Sequence, residues 1–344
     1  MIKNQSKTKP QATPTYIGMD LHKNYLQIAV MDKDGNILHN SKIANNAESI
    51  DGFFQTINTN AKIVMESSSV WYNIYQKLQE KGFDVTLSNP LKTKAIASAK
   101  IKTDKIDAKI LADLLRGGYI AECYVPPRPI MEFRIMVRYR HSLVNQRTIL
   151  KNKIHAILLL NGIKIIGKPF SKVYNNKLHN LSNYRIDGYL RIIEFLDGEI
   201  NQVTKQIESC VRDDESARLL TTIPGIGHYS ALLISSEIGD VNRFADSHHL
   251  CSYAGLVPST HSSGGITHYG KITKTGSRHI RWVLTECIHS HVRHQDSNIT
   301  QFYNRIAKKK GNAKATVAAA SKMLRIIYWV LKEKREYQNI TVKQ

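Results

Sequence analysis

Short apolar runs at strand spacing punctuate the first ninety residues of this chain. Tyr16–Leu21, Tyr25–Met31 and Asn36–Ile43 read as three strands, and Asp34-Gly35 is a hairpin turn signal between the last two. Residues 46–59 fit a helix and Ala61–Glu66 a short buried strand. Trp71–Lys81 reads as a helix closed by Gly82, and Asp84–Ser88 as another strand. Asn89-Pro90 breaks the chain. Lys92–Lys100 and Asp104–Arg116 then fit two helices, and Gly117-Gly118 ends the second. The order is an antiparallel three-stranded meander followed by alternating helices and strands.

That order and those element lengths predict an α/β domain of the ribonuclease-H-like (RuvC-like) nuclease type over residues 14–160, preceded by a flexible basic tail at 1–13. After Pro126-Pro127-Arg128-Pro129 the pattern turns helical. Residues 131–160 form one long basic amphipathic stretch. Residues 185–215 place Leu190, Ile193, Leu196, Ile200, Val203 and Ile207 near heptad spacing. This second stretch reads either as a helical or coiled-coil connector (161–215) that offers a dimer contact, or as an ordinary core helix. A mostly α domain follows at 216–344. In it Leu219–Ile223, the turn Pro224-Gly225-Ile226-Gly227 and Ser230–Ile238 resemble a helix-hairpin-helix, in which Gly225 and Gly227 let backbone N–H groups approach a phosphate. A plain packed helix turn is the alternative.

Charge sharpens the picture. The 344 residues carry 49 Lys+Arg against 28 Asp+Glu, a net charge of +21, while the hydrophobic fraction of 42% is ordinary for a globular protein. Residues 131–172 contribute +8 and residues 301–344 contribute +9, so most of the excess sits in two segments. Such clustering points to a polyanionic partner, nucleic acid above all. No apolar run is long enough for a membrane span, and the four cysteines are widely separated and read as reduced thiols. The expectation is a cytoplasmic, nucleoid-associated protein. Candidate backbone contacts are Arg134, Arg138, Arg140, Arg147, Lys151 and Lys153 in the first basic segment and Lys308, Lys309 and Lys310 in the second.

Four acids carry the candidate chemistry. Asp20 and Glu66 each end an apolar strand run, and Asp104 and Asp107 share one face at the start of a helix. Each acid alone has a bland explanation: a strand-end turn, an N-cap, a favourable interaction with the helix dipole. As a set, four carboxylates converging on one point suit one or two Mg²⁺ ions, because hard cations take oxygen ligands. Asp113 lies on the same helix but is less suited to reach the site. A second constellation joins Gly255-Leu256-Val257-Pro258, the loop His261-Ser262-Ser263-Gly264-Gly265, and Lys271, Lys274, Arg278 and Arg281. A Gly-flanked serine can approach a phosphate, and the cations beside it can neutralise developing charge. A Ser-Gly loop is more often simply a loop.

From about residue 15 to residue 335 the chain resembles the DEDD transposases of bacterial insertion sequences, the recombinase class guided by a bridge RNA. The resemblance is carried by I-G-M-D at 17–20, V-M-E-S at 64–67 and K-T-D-K-I-D-A at 102–108. It continues through I-P-G-I-G at 223–227, Y-A-G-L-V-P at 253–258, S-S-G-G at 262–265 and I-T-K-T-G-S-R-H-I-R at 272–281. It implies that Asp20, Glu66, Asp104 and Asp107 bind Mg²⁺ and that Ser262, with Ser263 as competitor, forms a covalent phosphoserine bond to DNA. It further implies double-stranded target and donor DNA and a structured RNA as partners, and assembly as a dimer or a tetramer (a dimer of dimers). The competing function is a hydrolytic Holliday-junction-resolvase-like nuclease, which needs the four acids and not Ser262.

Overall fold

The computed structural model describes residues 14–97, 103–164 and 166–338. The expected basic tail at 1–13 and the end of the expected helix Lys92–Lys100 lie outside them. Two compact units divide at Val125/Pro126.

The N-terminal unit is a mixed α/β layer. Strands β1 (Tyr16–Leu21), β2 (Tyr25–Met31) and β3 (Ile37–Ala44) are followed by α1 (Ala47–Gln55), β4 (Lys62–Glu66), α2 (Trp71–Glu80), β5 (Asp84–Ser88), α3 (Pro90–Ile96) and α4 (Asp104–Arg116). The sheet order is β3-β2-β1-β4-β5, with β1, β2 and β3 antiparallel and β1, β4 and β5 parallel. The apolar runs of β1, β2 and β4 are buried, as the continuous hydrophobic pattern requires. This arrangement is consistent with a ribonuclease-H-like domain, and the strand calls match to within a residue.

One contact sets the layer spacing. A Cβ on Gly18 would lie 2.1 Å from the Ala108 carbonyl oxygen and 2.5 Å from the Ala112 nitrogen. The backbone of α4 therefore rests directly on the middle of β1. Ala108, Leu111 and Ala112 are buried on that face of α4. Its start is set by Thr103, whose hydroxyl accepts from the Ile106 N–H.

The C-terminal unit is mostly helical: α5 (Arg128–Leu160), α6 (Lys172–His179), α7 (Tyr184–Asp213), α8 (Glu215–Thr221), α9 (His228–Ile238) and α10 (Ser247–Tyr253), then β6 (Pro258–Ser263) and β7 (Ile266–Ile272), then α11 (Arg278–His294), α12 (Asn298–Lys310) and α13 (Asn312–Glu333). Helices α5 and α7 pack antiparallel: Arg140 reaches Thr204, and Arg147 pairs with Asp197 at 2.5 Å. The heptad stripe of α7, from Leu190 to Ile207, is buried in this unit's own cores. It follows the core-helix alternative, so the stripe is not open to form a dimer contact.

The expected division at residue 160 differs from the structural one, because α5 packs on α7 and α9 and belongs to the C-terminal unit. Several of its arginines also differ from expectation. Arg134 is buried, and its guanidinium donates to the carbonyls of Ser236 (2.6 Å) and Glu237 (2.9 Å) at the end of α9. Those carbonyls have no partner within the helix and need a donor. Arg138 grips the buried Glu237 carboxylate through Nε (3.0 Å) and a terminal nitrogen (2.7 Å). Arg140 bonds Thr204 and lies over the Tyr229 ring. Arg134 is thus corrected from a nucleic-acid contact to a structural donor, and Arg138, Arg140 and Arg147 each commit part of their guanidinium to partners within the chain, with Arg147 Nε buried and without a hydrogen-bond partner. No helix among the described residues is long and apolar enough to cross a membrane.

Gly18→Ala is expected to force α4 off β1 and to destabilise the N-terminal unit by about 2–3 kcal/mol, a magnitude usual for overpacking against rigid neighbours. Urea unfolding followed by circular dichroism measures it. A wild-type midpoint would mean that α4 shifts without loss.

Candidate active site

Asp20 is the penultimate residue of β1, and the β1–β4 register pairs Met19 with Met65, so Glu66 follows beside Asp20 on the neighbouring strand. The seating of α4 at Gly18 brings its first turn, with Asp104 and Asp107, to the same sheet end. Asp20, His22 and Asp104 each present a ligand atom within 4.8 Å of the others. The Glu66 and Asp107 carboxylates are outside this tight group, although Asp107 is near enough to act electrostatically on Asp20.

Three side chains absent from the sequence reading complete the cluster. His22 Nε2 lies 3.0 Å from Asp20 Oδ2 and 3.6 Å from Asp104 Oδ1. The Tyr25 hydroxyl donates to Asp104 Oδ2 at 2.8 Å, and Lys42 Nζ donates to the same oxygen at 3.0 Å. Lys42 also sits 4.1 Å from the Tyr25 ring centroid, and His22 stacks on that ring. His22 was detectable in principle, two residues beyond Asp20 along the chain. Tyr25 and Lys42 arrive only through strand register: Tyr25 pairs with Ala44 and Gln27 with Lys42.

The electrostatics of the two acids diverge. Burial pushes the Asp20 carboxyl above its ordinary range; His22 opposes this, and the negative charges of Asp107 and Asp104 add to it. Lys42, then the Tyr25 hydroxyl, hold Asp104 below its ordinary range. A half-buried carboxylate crowded by two like charges, among oxygen donors, fits a divalent cation. Asp20 and Asp104 would hold it, with Glu66 and Asp107 adjacent.

The serine constellation lies in the C-terminal unit. Ser262 and Ser263 are exposed residues of β6, and Gly264 (φ 56°) and Gly265 (φ 77°) form the tight turn to β7. The expected loop is therefore a β-hairpin, with a Gly-Gly turn suited to two left-handed residues. Ser262 and Ser263 point to opposite faces, and Ser262 Oγ lies 2.9 Å from Thr267 Oγ1. The hairpin is anchored at its base. A Cβ on Gly276 would meet the Tyr253 carbonyl oxygen at 1.9 Å, and one on Gly255 would meet Thr275 O at 2.3 Å. One terminal nitrogen of Arg281 donates to the carbonyls of Ala254 (3.0 Å), Thr275 (2.7 Å) and Gly276 (3.3 Å), so it clamps this crossing.

Of the remaining contact candidates, Lys153, Lys271, Lys274, Arg278, Lys308, Lys309 and Lys310 are exposed. Lys151 is partly buried over the Phe170 ring. Gly225 (φ 91°) is accounted for by packing: a Cβ there would lie 2.7 Å from the Cys287 carbonyl oxygen of α11. Gly227 is exposed at the N-terminus of α9, where no side chain caps the helix.

A mixed sheet with Asp20 and Asp104 meeting at its end is consistent with a ribonuclease-H-like domain. A transposase model of the DEDD IS110 type matches residues 17–162, and the model for the transposase IS116/IS110/IS902 family matches residues 217–304. The transposase for insertion sequence element IS1328 of Yersinia enterocolitica is 26% identical, covering 92% of this chain and 96% of its own length. The transposase for IS1111A of Coxiella burnetii is 22% identical over 94% of this chain and 91% of its own. A pilin gene-inverting protein of Moraxella bovis is 25% identical over 94% and 97%. The chain belongs to the IS110 family of DEDD transposases.

Two predictions follow from the geometry. Because the folded-state pKa of Asp20 is raised, the fold prefers its protonated form; ionisation destabilises the metal-free protein as pH rises through that pKa. Asp20→Asn is therefore expected to raise the metal-free melting temperature at pH 7 and to give no gain near pH ~3, below both pKa values. An equal shift at both pH values would contradict the electrostatic account. At the hairpin, Gly276→Ala is expected to destabilise by about 2 kcal/mol or more. Gly264→Ala, which meets no atom, should cost only about 1 kcal/mol of backbone strain. Chemical denaturation ranks the two.

Proposed function

We propose that this protein is an insertion-sequence transposase that cuts and rejoins DNA strands through a serine-linked intermediate, with Mg²⁺ held by Asp20, Glu66, Asp104 and Asp107. The observation that carries the enzymatic reading is the docking of α4 on β1 at Gly18, which brings Asp104 to Asp20 and His22. Bound there, the metal would polarise a phosphodiester and stabilise negative charge on its oxygens.

In this reading Ser262 Oγ bonds to phosphorus as the bond from phosphorus to the sugar oxygen breaks. The serine loses its proton and the leaving oxygen gains one. Attack by the hydroxyl of an exchanged strand reverses both changes and releases the serine, so the phosphodiester energy is conserved. Support comes from the exposure of Ser262 beside a turn without side chains, where a DNA backbone can approach closely. The pilin gene-inverting relative is named for an inversion, which requires strands to be broken and rejoined. Ser263, on the opposite face of β6, remains the competitor.

A structured guide RNA would select target and donor duplexes by base pairing, and the protein would read backbone and shape. Exposed Lys153, Lys271, Lys274, Arg278 and Lys308–Lys310, with the backbone at Gly227, are the proposed contacts. The proposed functional parts are a RuvC-like domain at 14–160, a helical connector at 161–215 and a transposase domain at 216–344, acting as a dimer or tetramer. The family-model match ends at residue 162, near the first of these bounds, while α5 packs within the C-terminal compact unit.

The test is a denaturing gel of protein, element-derived RNA, Mg²⁺ and labelled DNA. Wild type should give a covalent protein–DNA band that Ser262→Ala abolishes and Ser263→Ala retains. Loss only in Ser263→Ala would move the nucleophile. Cleavage without any adduct would establish the hydrolytic alternative.

A further inference from the structure

We propose that Lys42 is a positioning residue that occupies Asp104 in the nucleic-acid-free protein and couples metal entry to the arrival of a phosphodiester. The inference rests on the metal-site reading above and concerns a side chain on β3, away from the acids in sequence. Three observations support it. Asp104 Oδ2 accepts from both Lys42 Nζ (3.0 Å) and the Tyr25 hydroxyl (2.8 Å), and Oδ1 faces His22 at 3.6 Å. Both oxygens of this carboxylate thus face donors. The Lys42 side chain is half exposed, 51%, and Asp104 is 31% exposed, so the pair stands at the solvent edge of the site, where a ligand can reach it. Lys42 also rests over the Tyr25 ring, a surface it keeps if it leaves the carboxylate.

The consequence follows from charge. A divalent ion bound to Asp104 at the ~2.1 Å typical of Mg²⁺–oxygen bonds would place two positive charges against the Lys42 ammonium. Entry of the cation therefore weakens the hold of Lys42 on Oδ2 and favours its release. In water the released ammonium exchanges its anion for hydration alone. A phosphate oxygen brought to the site gives the ammonium a new anion, and the carboxylate passes to the metal. Metal affinity of the protein alone is then held low, and nucleic acid raises it. Reciprocity between two ligands is required thermodynamically: if DNA tightens metal binding, metal tightens DNA binding equally.

The experiment measures Mn²⁺ binding to the full chain by electron paramagnetic resonance, with and without a DNA duplex whose strands are checked to be intact on a denaturing gel. Lys42→Met should bind Mn²⁺ ~5-fold more tightly than wild type without DNA, in line with removing a positive charge at this distance from a partly exposed site. It should also lose most of the DNA-induced tightening, which Lys42→Arg should largely keep. Circular dichroism confirms that each variant folds. Equal or weaker Mn²⁺ binding by Lys42→Met, or an unchanged response to DNA, would overturn the proposal. Asp104→Asn separates the two readings. If it abolishes Mn²⁺ binding, the metal site stands whatever Lys42 does. If it leaves binding unchanged, the site itself fails and the coupling with it.

Discussion

The contact between Gly18 and the backbone of α4 is the constraint on which the candidate active site depends. A strand and a helix normally keep the distance that their side chains impose. Here the absence of a Cβ on Gly18, together with small Ala108 and Ala112 on the facing helix, lets two backbones meet. That closeness is why the first turn of α4 reaches the end of β1, two residues beyond the glycine. Asp20 and Asp104 are far apart in sequence and have opposite electrostatic surroundings, yet they meet because one position lacks a side chain. A half-buried carboxylate with like charges beside it is unfavourable by itself. Its persistence in a folded domain is understandable where a cation completes it.

The positive charge of this chain is spent in two ways. Part of it is structural. Arg134 satisfies the carbonyls that end α9, Arg138 neutralises the buried Glu237, Arg140 covers Tyr229, and Arg281 clamps the crossing below the β6–β7 hairpin. Guanidinium groups suit these tasks because one planar fork can serve several oxygens at once. The burial that comes with this role also pushes Tyr229 up to about 12, keeping it a neutral hydroxyl under Arg140. The rest, largely lysine, lies on the surface. A basic composition thus overstates the charge available to a polyanion, because part of it is engaged within the chain.

The hairpin bearing Ser262 shows the opposite economy. Its side chains from Ser262 to Gly265 are exposed, and its conformation comes from a Gly-Gly turn and the interlocked backbones at its base. Such an element has little apolar surface and little period-two patterning. It reads as a loop until its register is seen, with Ser262 opposite Thr267.

How much of this was legible in the sequence depended on whether local or distant forces set it. The five strands of the N-terminal sheet and helix α4 were evident, because apolar runs and turn residues are local signals, although the cap of α4 proved to be Thr103 and not Asp104. Of the four acids singled out by their positions at element ends, the structure groups Asp20 and Asp104 with His22; the family was evident from its spaced motifs. The sequence could not show that His22, Tyr25 and Lys42 join Asp20 and Asp104, since strand register brings them there. Nor could it show that the heptad stripe of α7 is covered by α5, or that Arg134 is buried. Periodicity reveals that a face is apolar and composition that a residue is charged, but neither names the partner. Pairing across the chain is decided by packing, where steric fit at a position such as Gly18 and the need of every buried polar group for a partner select one arrangement.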